Sequence, residues 1–414
     1  MKFAIVGKSL PHTISPRLHR EFGNFDYGVK EFETEEAFCE FVRSHECAGY
    51  NVTIPYKQTV MPLVDEIGDD AEEIGAVNTV IDFFGRLFGY NTDIDGVELA
   101  FKHVGIDVNG KNALVLGSGG TSKTVQYFLK KHGAKSVNVV SRTGKLNYDN
   151  VYEQGKNAQI IVNTTPVGTM SIDKPVDLSR FKELEGVFDV IYNPIETALI
   201  RQAKDLGVKA IGGLVMLVEQ GRVANNIFAT ANNPELIIEP EQTTFEIVKK
   251  LERERQNIVL VGMAGCGKST IGKLVAEKLG KTFVDLDEEI ERREGKSIPE
   301  IFAEKGETYF REVERKVVAD VCVKTGQVIA TGGGAVLDHN NVEWFKANGK
   351  TVWIKRDVEL LARDGRPLSK DLETVKKLYE KRKPIYQKIA DFAVENNGAA
   401  EDCIDKILQY EKSI

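Results

Sequence analysis

GMAGCGKS, residues 262–269, is the stretch of sequence that decides how the C-terminal part of this chain folds. The apolar run Asn257–Val261 before it predicts a buried strand, and the apolar spacing over Thr270–Leu279 after it predicts a helix. A strand, a glycine-rich loop and a helix in this order form a phosphate-binding loop of the Walker A type. A glycine-rich surface turn is the alternative, but it does not account for the strand and the helix on either side.

The same loop predicts which residues bind a nucleotide and its metal ion. Backbone N–H groups of such a loop surround the phosphates, Lys268 reaches the β- and γ-phosphate oxygens, and the Ser269 hydroxyl binds Mg²⁺. The predicted ATP contacts are Gly262, Gly265, Gly267, Lys268, Ser269 and Thr270. About 250 residues precede this region, enough for one or two further domains.

The composition is that of a large globular protein and excludes several classes of partner. Of 414 residues, 42 % are hydrophobic and 28 % charged, which is enough to bury a core. A net charge of −7 provides no basic field, so neither nucleic acid nor a membrane is expected as a partner. No apolar run is long enough to span a membrane. The five scattered cysteines are expected to be free thiols in a reducing cytoplasm, and no protein-built metal cage is predicted.

Strands and helices alternate through the first 230 or so residues, which predicts an α/β fold with a parallel, doubly wound sheet. One βαβ unit is clear: strand Asn112–Leu116, a glycine loop, a helix that ends near Lys131, and strand Ser136–Val140. Residues 232–256 contain two prolines followed by a charged stretch. We interpret them as a linker with a short connecting helix.

The loop of this βαβ unit, GSGGTSK at residues 117–123, predicts a dinucleotide site only weakly. Its third fingerprint position is Ser122 rather than glycine, and a tight turn without a ligand is the alternative. The next strand is followed by Arg142, where an NAD enzyme usually has an acidic residue for the ribose hydroxyl. Because a guanidinium pairs with a 2′-phosphate, NADP is favoured over NAD.

Seven short motifs follow one another in the first 230 or so residues: GKSLPHTISP (7–16), NVTIPYK (51–57), GAVNT (75–79), NTD (91–93), NTTPVG (163–168), YNP (192–194) and GGLVMLVEQ (212–220). In these motifs and their order, this part of the chain resembles the shikimate dehydrogenase family. Thr13 stands where the family usually has a serine. The resemblance implies a two-domain enzyme that reduces 3-dehydroshikimate to shikimate with NADPH.

The resemblance also implies roles for individual residues. Lys57 and Asp93 match the catalytic pair: an ammonium stabilises the charge that hydride transfer builds on oxygen and can supply the proton. An ordinary surface ion pair is the alternative. The implied substrate contacts are Thr13, Ser15, Thr53, Asn78, Tyr192 and Gln220. The implied NADP(H) contacts are Gly117, Ser118, Gly119, Gly120, Thr121, Arg142, Thr143, Thr164, Gly213 and Met216.

Beyond the Walker A loop, five more motifs make the chain from Asn257 onward resemble the shikimate kinase family: DLD (285–287), FREVE (310–314), ATGGG (330–334), RDGRPL (363–368) and KRKPIY (381–386). Val284 and Leu286 alternate with Asp285 and Asp287, which predicts that both carboxylates lie at one strand end. The resemblance places Asp285 with Ser269 at Mg²⁺ and makes Asp287 the orienter or general base of the substrate hydroxyl. Arg311 and Arg382 are implied to clamp the shikimate carboxylate beside Gly333. Arg366 is implied at the transferred phosphoryl group and Arg363 over adenine, on a lid shorter than in many relatives.

The two resemblances together predict a bifunctional α/β enzyme of two consecutive steps: a dehydrogenase with a Rossmann NADP-binding domain, then a P-loop kinase domain with a parallel sheet and a lid. The predicted boundaries are 1–95 for the substrate domain (completed by 214–230), 96–213 for the Rossmann domain, 232–256 for the linker and 257–414 for the kinase. Its predicted location is cytoplasmic, its partners are small-molecule substrates, and a homo-oligomer remains open. The alternatives are a metabolite-sensing regulator without catalysis and a first domain that oxidises quinate.

Overall fold

The computed structural model describes residues 2–11, 13–24, 26–230, 238–361 and 372–413. These residues form two compact units. The first comprises Met1–Thr169, Asp173–Tyr192 and Leu199–Lys249, and the second comprises Met170–Ile172, Asn193–Ala198 and Lys250–Ile414. Across the described ranges, every helix is too short or too polar to cross a membrane.

The first unit begins with a mixed sheet. Its strands are β1 (Phe3–Gly7), β2 (Tyr27–Glu31), β3 (Gly49–Val52), β4 (Glu66–Ile67), β5 (Thr79–Phe83) and β6 (Arg86–Tyr90), and its helices are α1 (Ser15–Glu21), α2 (Glu35–Ser44) and α3 (Asp69–Ile74). The strand order is β2-β1-β3-β5-β6-β4. Strand β1 pairs in parallel with β2 and β3, whereas β5 and β6 form an antiparallel hairpin. Its two-residue loop, Phe84-Gly85, has φ values of 54° and 79°, as a type I′ turn requires.

The second sheet of this unit is wholly parallel in the order β11-β10-β9-β7-β8. Its strands are β7 (Asn112–Leu116), β8 (Ser136–Val140), β9 (Ile160–Asn163), β10 (Gly186–Asp189) and β11 (Lys209–Ile211), and its helices are α4 (Asp93–Val104), α5 (Gly120–Lys131), α6 (Val151–Gln154), α7 (Ala198–Asp205) and α8 (Leu214–Thr230). The chain order reverses between β7 and β9. In a parallel sheet, ligands bind at the carboxyl ends of the strands beside such a reversal.

The second unit contains a parallel sheet in the order β13-β14-β12-β15-β16. Its strands are β12 (Asn257–Val261), β13 (Thr282–Asp285), β14 (Gln327–Ala330), β15 (Gly349–Lys355) and β16 (Phe392–Glu395). Its helices, the first of which begins in the first unit, are α9 (Glu241–Arg255), α10 (Lys268–Leu279), α11 (Leu286–Glu294), α12 (Ile298–Cys322), α13 (His339–Asn348), α14 (Leu372–Ile389) and α15 (Ala400–Ser413). The fully buried β12 is the central strand and leads directly into the glycine-rich loop.

The sequence pattern is wrong about one local feature of this unit. Alternation of apolar and acidic residues predicted that Asp285 and Asp287 share a strand end, but β13 ends at Asp285 and Asp287 lies in the first turn of α11. The cause is a helix cap: the Asp285 carboxylate accepts hydrogen bonds from the backbone N–H groups of Asp287 (3.0 Å) and Glu288 (3.4 Å). The predicted lid residues Arg363 and Arg366 lie outside the described residues.

Candidate active sites

A cavity of about 250 Å³ lies in the first unit, beside the carboxyl end of β3. Residues from the segments of both sheets contribute to its wall. The lining residues are Ile5, Ser15, Asn51, Val52, Thr53, Lys57, Asn78, Asp93, Thr121, Val190, Tyr192, Gly213, Met216, Leu217 and Gln220. The cavity therefore gathers most of the substrate and catalytic residues that the sequence predicted, although they are up to 205 positions apart (Ser15 to Gln220).

Part of this wall is a three-residue arrangement around Asp93. The Lys57 ammonium donates to one carboxylate oxygen at 2.6 Å, and the Asn78 amide donates to the other at 3.0 Å. The side-chain oxygen of Asn78 in turn accepts from the backbone N–H of Thr92 at 2.8 Å. The side chains of Lys57 and Asp93 are only 20 % and 11 % exposed, so this is not an ordinary surface ion pair. The ammonium is held at a fixed place beside the cavity.

Thr13 and Asn51 are two further polar residues near this arrangement, the first predicted as a substrate contact and the second not. The Thr13 hydroxyl donates to Ser15 Oγ at 3.2 Å, which connects the two hydroxyl residues of the first motif. Asn51 lines the cavity but was missed by the sequence prediction, although it begins a recognised motif. It accepts from the Tyr27 hydroxyl at 2.6 Å and donates to Thr79 Oγ1 at 3.0 Å. Its orientation depends on contacts between three strands, which the linear sequence does not reveal.

Helix α8 supplies one side of the cavity through Met216 and Gln220, which are four positions apart and so share a helix face. Gly213 precedes this helix, and its backbone lies close to the backbone of Val190. A Cβ atom there would lie 2.0 Å from the carbonyl oxygen of Val190, so a larger residue does not fit without moving the chain.

The glycine loop after β7 lies at the order reversal of the parallel sheet. Gly117 has a φ of 102°, and a Cβ atom on it would lie 2.9 Å from Thr164 Oγ1. The Ser122 hydroxyl donates to the Gly117 carbonyl at 2.7 Å, so serine at the third fingerprint position closes the turn. Gly119 and Gly120 adjoin open space at the amino end of α5. Exposed backbone N–H groups and room beside them fit a pyrophosphate. Arg142 and Thr143, also exposed, follow β8.

The glycine-rich loop of the second unit has the conformation that a phosphate-binding loop needs. Gly262, Gly265 and Gly267 have φ values of 145°, 83° and 98°. The buried Lys268 ammonium donates to the carbonyl oxygens of Gly262 (3.0 Å) and Met263 (2.9 Å). At the start of α10, the Ser269 hydroxyl donates to an Asp285 carboxylate oxygen at 2.5 Å, whereas the predicted contact Thr270 is exposed. A hydroxyl and a carboxylate beside a phosphate loop fit a hydrated Mg²⁺.

Asn396 supports this loop and was not predicted from the sequence. Its amide donates to the Cys266 carbonyl oxygen at 2.8 Å, and a Cβ atom on Gly267 would lie 2.6 Å from its amide nitrogen. Asn396 follows β16 and is about 130 positions from the loop, so no local pattern connects the two. Cys266 itself is fully buried, as expected of a small residue that fills space.

The three glycines after β14 lie against the predicted carboxylate clamp. A Cβ atom on Gly334 would lie 2.6 Å from an Arg311 guanidinium nitrogen, and one on Gly333 would lie 3.4 Å from a nitrogen of Arg382. One on Gly332 would lie 2.7 Å from an Asp287 carboxylate oxygen. The structure therefore brings both arginines and Asp287 to one short stretch of backbone.

Two carboxyl groups complete this second site. Burial, together with the charge of Asp285, raises the pKa of Asp287 to about 6. Glu314 is buried and accepts from Arg311 at 2.6 Å; burial raises its pKa although the arginine acts in the opposite direction. Glu314 belongs to the FREVE motif but was not predicted as a site residue. It fixes the Arg311 guanidinium, the group that would face a carboxylate ligand.

Comparisons with known proteins identify both parts of the chain. Residues 5–80 match the family model described as the shikimate dehydrogenase substrate binding domain. The shikimate dehydrogenase (NADP(+)) of Methanococcus maripaludis strain C6 is 35 % identical over 264 residues, which cover 56 % of this chain and 93 % of that relative. The chain belongs to the shikimate dehydrogenase family. Residues 264–411 match the shikimate kinase family model, so a shikimate kinase domain follows the dehydrogenase.

Solved structures of the dehydrogenase family support the same assignment. A chorismate mutase/shikimate 5-dehydrogenase fusion protein from Clostridium acetobutylicum aligns with a TM-score of 0.55 and 30 % identity, over 60 % of this chain and 96 % of that one. Shikimate 5-dehydrogenase from Thermus thermophilus, in complex with NADP(H) and shikimate, aligns with a TM-score of 0.52 and 29 % identity, over 60 % and 98 %. The predicted fold class and family are confirmed, and the comparisons give no support to a regulator without catalysis.

Proposed function

We propose that this chain reduces 3-dehydroshikimate to shikimate with NADPH and then phosphorylates shikimate to shikimate 3-phosphate with ATP and Mg²⁺. The two families whose domains it contains are named for adjacent reactions of one metabolite. The observation that carries the first reaction is the Lys57–Asp93–Asn78 arrangement in the wall of the first cavity. The second rests on the phosphate loop that faces Asp287 and the two arginines.

In the first reaction, bound NADPH supplies the hydride. The ammonium of Lys57 stabilises the negative charge that develops on the substrate oxygen and delivers a proton to it. Asp93 orients that ammonium, and Asn78 fixes Asp93. We assign substrate binding to the polar groups around them: Thr13, Ser15, Thr53, Asn78, Tyr192 and Gln220.

The cofactor contacts of the first reaction follow from the loop after β7 and from the end of β8. The loop residues Gly117–Thr121 would surround the pyrophosphate at the amino end of α5, with Thr164 beside them. Arg142 and Thr143 would bind the 2′-phosphate, which is the group that distinguishes NADP from NAD. Gly213 and Met216 would complete the site from the α8 side of the cavity.

In the second reaction, bound ATP–Mg²⁺ supplies the phosphoryl group. Lys268 would bind the phosphates, and Ser269 and Asp285 would hold the metal ion through their oxygen atoms. Asp287 orients the attacking hydroxyl and accepts its proton, while Arg311 and Arg382 bind the substrate carboxylate in forked pairs beside Gly333. We also propose that Arg366 contacts the transferred phosphoryl group and that Arg363 covers the adenine.

The proposal extends to the setting of the two reactions. The substrates are small anionic molecules, which local sites can bind in a protein of net charge −7. All five cysteines are free thiols, which suits the cytoplasm. We retain the domain boundaries 1–95, 96–213 and 257–414, with 214–230 completing the substrate domain and 232–256 as the connection.

The test is a time course with the purified full chain, 3-dehydroshikimate, NADPH and ATP–Mg²⁺, in which both products are quantified. Shikimate should appear first and shikimate 3-phosphate after it, and omission of ATP should leave shikimate as the end product. Replacement of NADPH by NADH should slow the first step. A chain that produces no shikimate, or that leaves added shikimate unphosphorylated, would contradict the corresponding half of the proposal.

A further inference from the structure

A buried carboxylate lies on α8, next to the cavity residue Gln220 but outside the cavity lining. Glu219 is 4 % exposed. Arg222 binds it with two nitrogens, at 2.8 Å and 2.5 Å, so the pair is bidentate and lies within one helix. The carboxylate also raises the pKa of Arg222. A charge pair of this kind is stable in a buried place only if its remaining hydrogen-bonding capacity is satisfied.

The remaining capacity is satisfied by the segment that follows the dehydrogenase part of the chain. The Thr244 hydroxyl, fully buried on α9, donates to the same Glu219 carboxylate at 2.5 Å. The third guanidinium nitrogen of Arg222 donates to the carbonyl oxygen of Glu239 at 2.5 Å. Asn226 exchanges two hydrogen bonds with Glu239, at 2.8 Å and 2.9 Å. The connecting segment is thus attached to α8 along more than one turn.

The first half of α9 is also attached to α4. Lys102 donates to the Glu241 carboxylate at 3.0 Å, and the His103 ring stacks on Phe245 with centroids 4.7 Å apart. Ile247 and Val248 are buried. Helices α4 and α8 carry Asp93 on one side of the cavity and Met216 and Gln220 on the other.

We propose that Glu219 is a positioning residue of the hydride-transfer site and that Thr244 of the connecting helix holds it in place. The proposal rests on the proposed dehydrogenase function. Through Glu219 and Arg222, the first half of α9 fixes the rotation of α8, and this rotation decides where Gln220 and Met216 point. The connection between the two catalytic parts is therefore a component of the dehydrogenase site rather than an inert linker.

The kinetic signature follows from what each residue touches. Gln220 would contact a substrate group that does not react, so a misplaced Gln220 weakens ground state and transition state alike and raises KM. Asp93 is held by Lys57 and Asn78, neither of which lies on α8, so kcat should change little. A change that only loosened the fold would lower the melting temperature without raising KM selectively over kcat.

The test uses the full chain and three threonine variants. Thr244→Val removes the donor and keeps the shape, and Thr244→Ser keeps the donor. Thr243→Val makes the same change at the neighbouring residue, whose hydroxyl bonds the Glu239 carboxylate, whereas Arg222 and Asn226 bond the Glu239 backbone. For each variant, KM for 3-dehydroshikimate, kcat with NADPH, kinase kcat and melting temperature are measured.

We expect Thr244→Val to raise KM by roughly threefold to tenfold with kcat within about twofold, since the loss is one of uniform binding. Thr244→Ser should restore KM, Thr243→Val should leave it unchanged, and kinase kcat should not move. A wild-type KM in Thr244→Val, or a serine variant as impaired as the valine one, would overturn the positioning role. A wild-type chain without dehydrogenase activity would instead overturn the proposed function on which that role rests.

Discussion

At Asp93 each carboxylate oxygen has its own donor, Lys57 on one side and Asn78 on the other. Such a carboxylate cannot rotate without breaking a hydrogen bond, so the ammonium beside it keeps one direction. An ammonium has three N–H donors, and the bond to Asp93 uses one of them. The others are available for a substrate oxygen and for the hydroxyl next to it.

Lys57→Ala should therefore abolish dehydrogenase activity mainly through kcat, because the ammonium acts on charge that develops only in the transition state. Losses of this kind are about 10²–10⁴-fold. Steady-state kinetics with NADPH and 3-dehydroshikimate check it, and kinase activity of the same sample shows that the protein is folded. Lys156→Ala, at an exposed lysine, is the matched control. A variant with wild-type kcat and only a raised KM would contradict the assignment.

Asp287 should give the kinase an acidic limb in its pH profile. Its pKa is raised to about 6, chiefly by burial, and only the ionised form can accept a proton. Kinase activity should therefore fall as the pH falls through about 6. Glu288→Gln, at an exposed carboxylate on the same turn, should leave the profile unchanged. A profile that is flat from pH 7 to pH 5 would exclude Asp287 as the proton acceptor.

The same raised pKa has a consequence for stability. A carboxyl whose folded pKa lies above its unfolded value stabilises the fold while protonated, and this contribution is lost as the pH rises through about 6. Asp287→Asn, which is never charged, should therefore gain melting temperature over the wild type as the pH rises from 4.5 to 7.5. If the melting temperatures of the variant and the wild type differ by the same amount from pH 4.5 to 7.5, Asp287 does not titrate in this range.

At the scale of elements, α4 and α8 pack against each other, and a glycine sets their distance. A Cβ atom on Gly96 would lie 2.5 Å from the backbone carbonyl oxygen of Met216 and 2.9 Å from its side chain. The contact is with backbone, so it cannot be relieved by a change of rotamer. Close approach here brings Met216 to the cavity.

Gly96→Ala should destabilise the first unit although alanine is the better helix former. The helix gains about 1 kcal/mol from alanine, whereas forced overpacking costs about 1–3 kcal/mol, and a backbone collision lies at the upper end. Thermal unfolding monitored with dehydrogenase activity checks the direction. Gly398→Ala, where a Cβ atom meets open space, is the control. An equal or higher melting temperature for Gly96→Ala would mean that α8 shifts without cost.

The sequence predicted regular elements better than contacts between them. Strands β7, β8 and β12 begin and end where their apolar runs predicted, because flanking loops limit them on both sides. Asp287 was misplaced because the carboxylate of Asp285 starts a helix and so overrides the alternating pattern. Asn51, Glu314 and Asn396 were missed as site residues because their partners are distant or their burial is not visible in the sequence.

At the scale of the whole molecule, each catalytic centre takes its groups from one unit. The first cavity is lined wholly by residues of the first unit, and the phosphate loop, Asp287 and both arginines belong to the second. Hydride transfer and phosphoryl transfer share only shikimate, so neither centre needs the other's groups. The connecting helix α9 differs from the catalytic groups because it is divided between the two units. The first unit ends at Lys249, and the next part of the helix, with the buried Leu251, belongs to the second unit.

We therefore expect the two parts of the chain, expressed as separate fragments, to keep their activities only if each fragment contains α9. Fragments 1–255 and 238–414 should each retain kcat within about tenfold of the full chain, which is about 1.4 kcal/mol of barrier. A fragment 1–240 lacks Thr244 and the buried residues Ile247 and Val248, so it should bind 3-dehydroshikimate more weakly and unfold at a lower temperature.

Steady-state kinetics of the three fragments at saturating and at limiting substrate separate these effects. Covalent connection of the two parts raises the effective concentration of shikimate at the kinase site, but it leaves the intrinsic kcat of each centre unchanged. A folded 238–414 fragment that loses more than tenfold in kcat would show that the dehydrogenase part supports the kinase site directly. A 1–240 fragment as active and as stable as 1–255 would show that α9 contributes nothing to the first unit, and the attachment of Glu219 to Thr244 would then have no mechanical consequence.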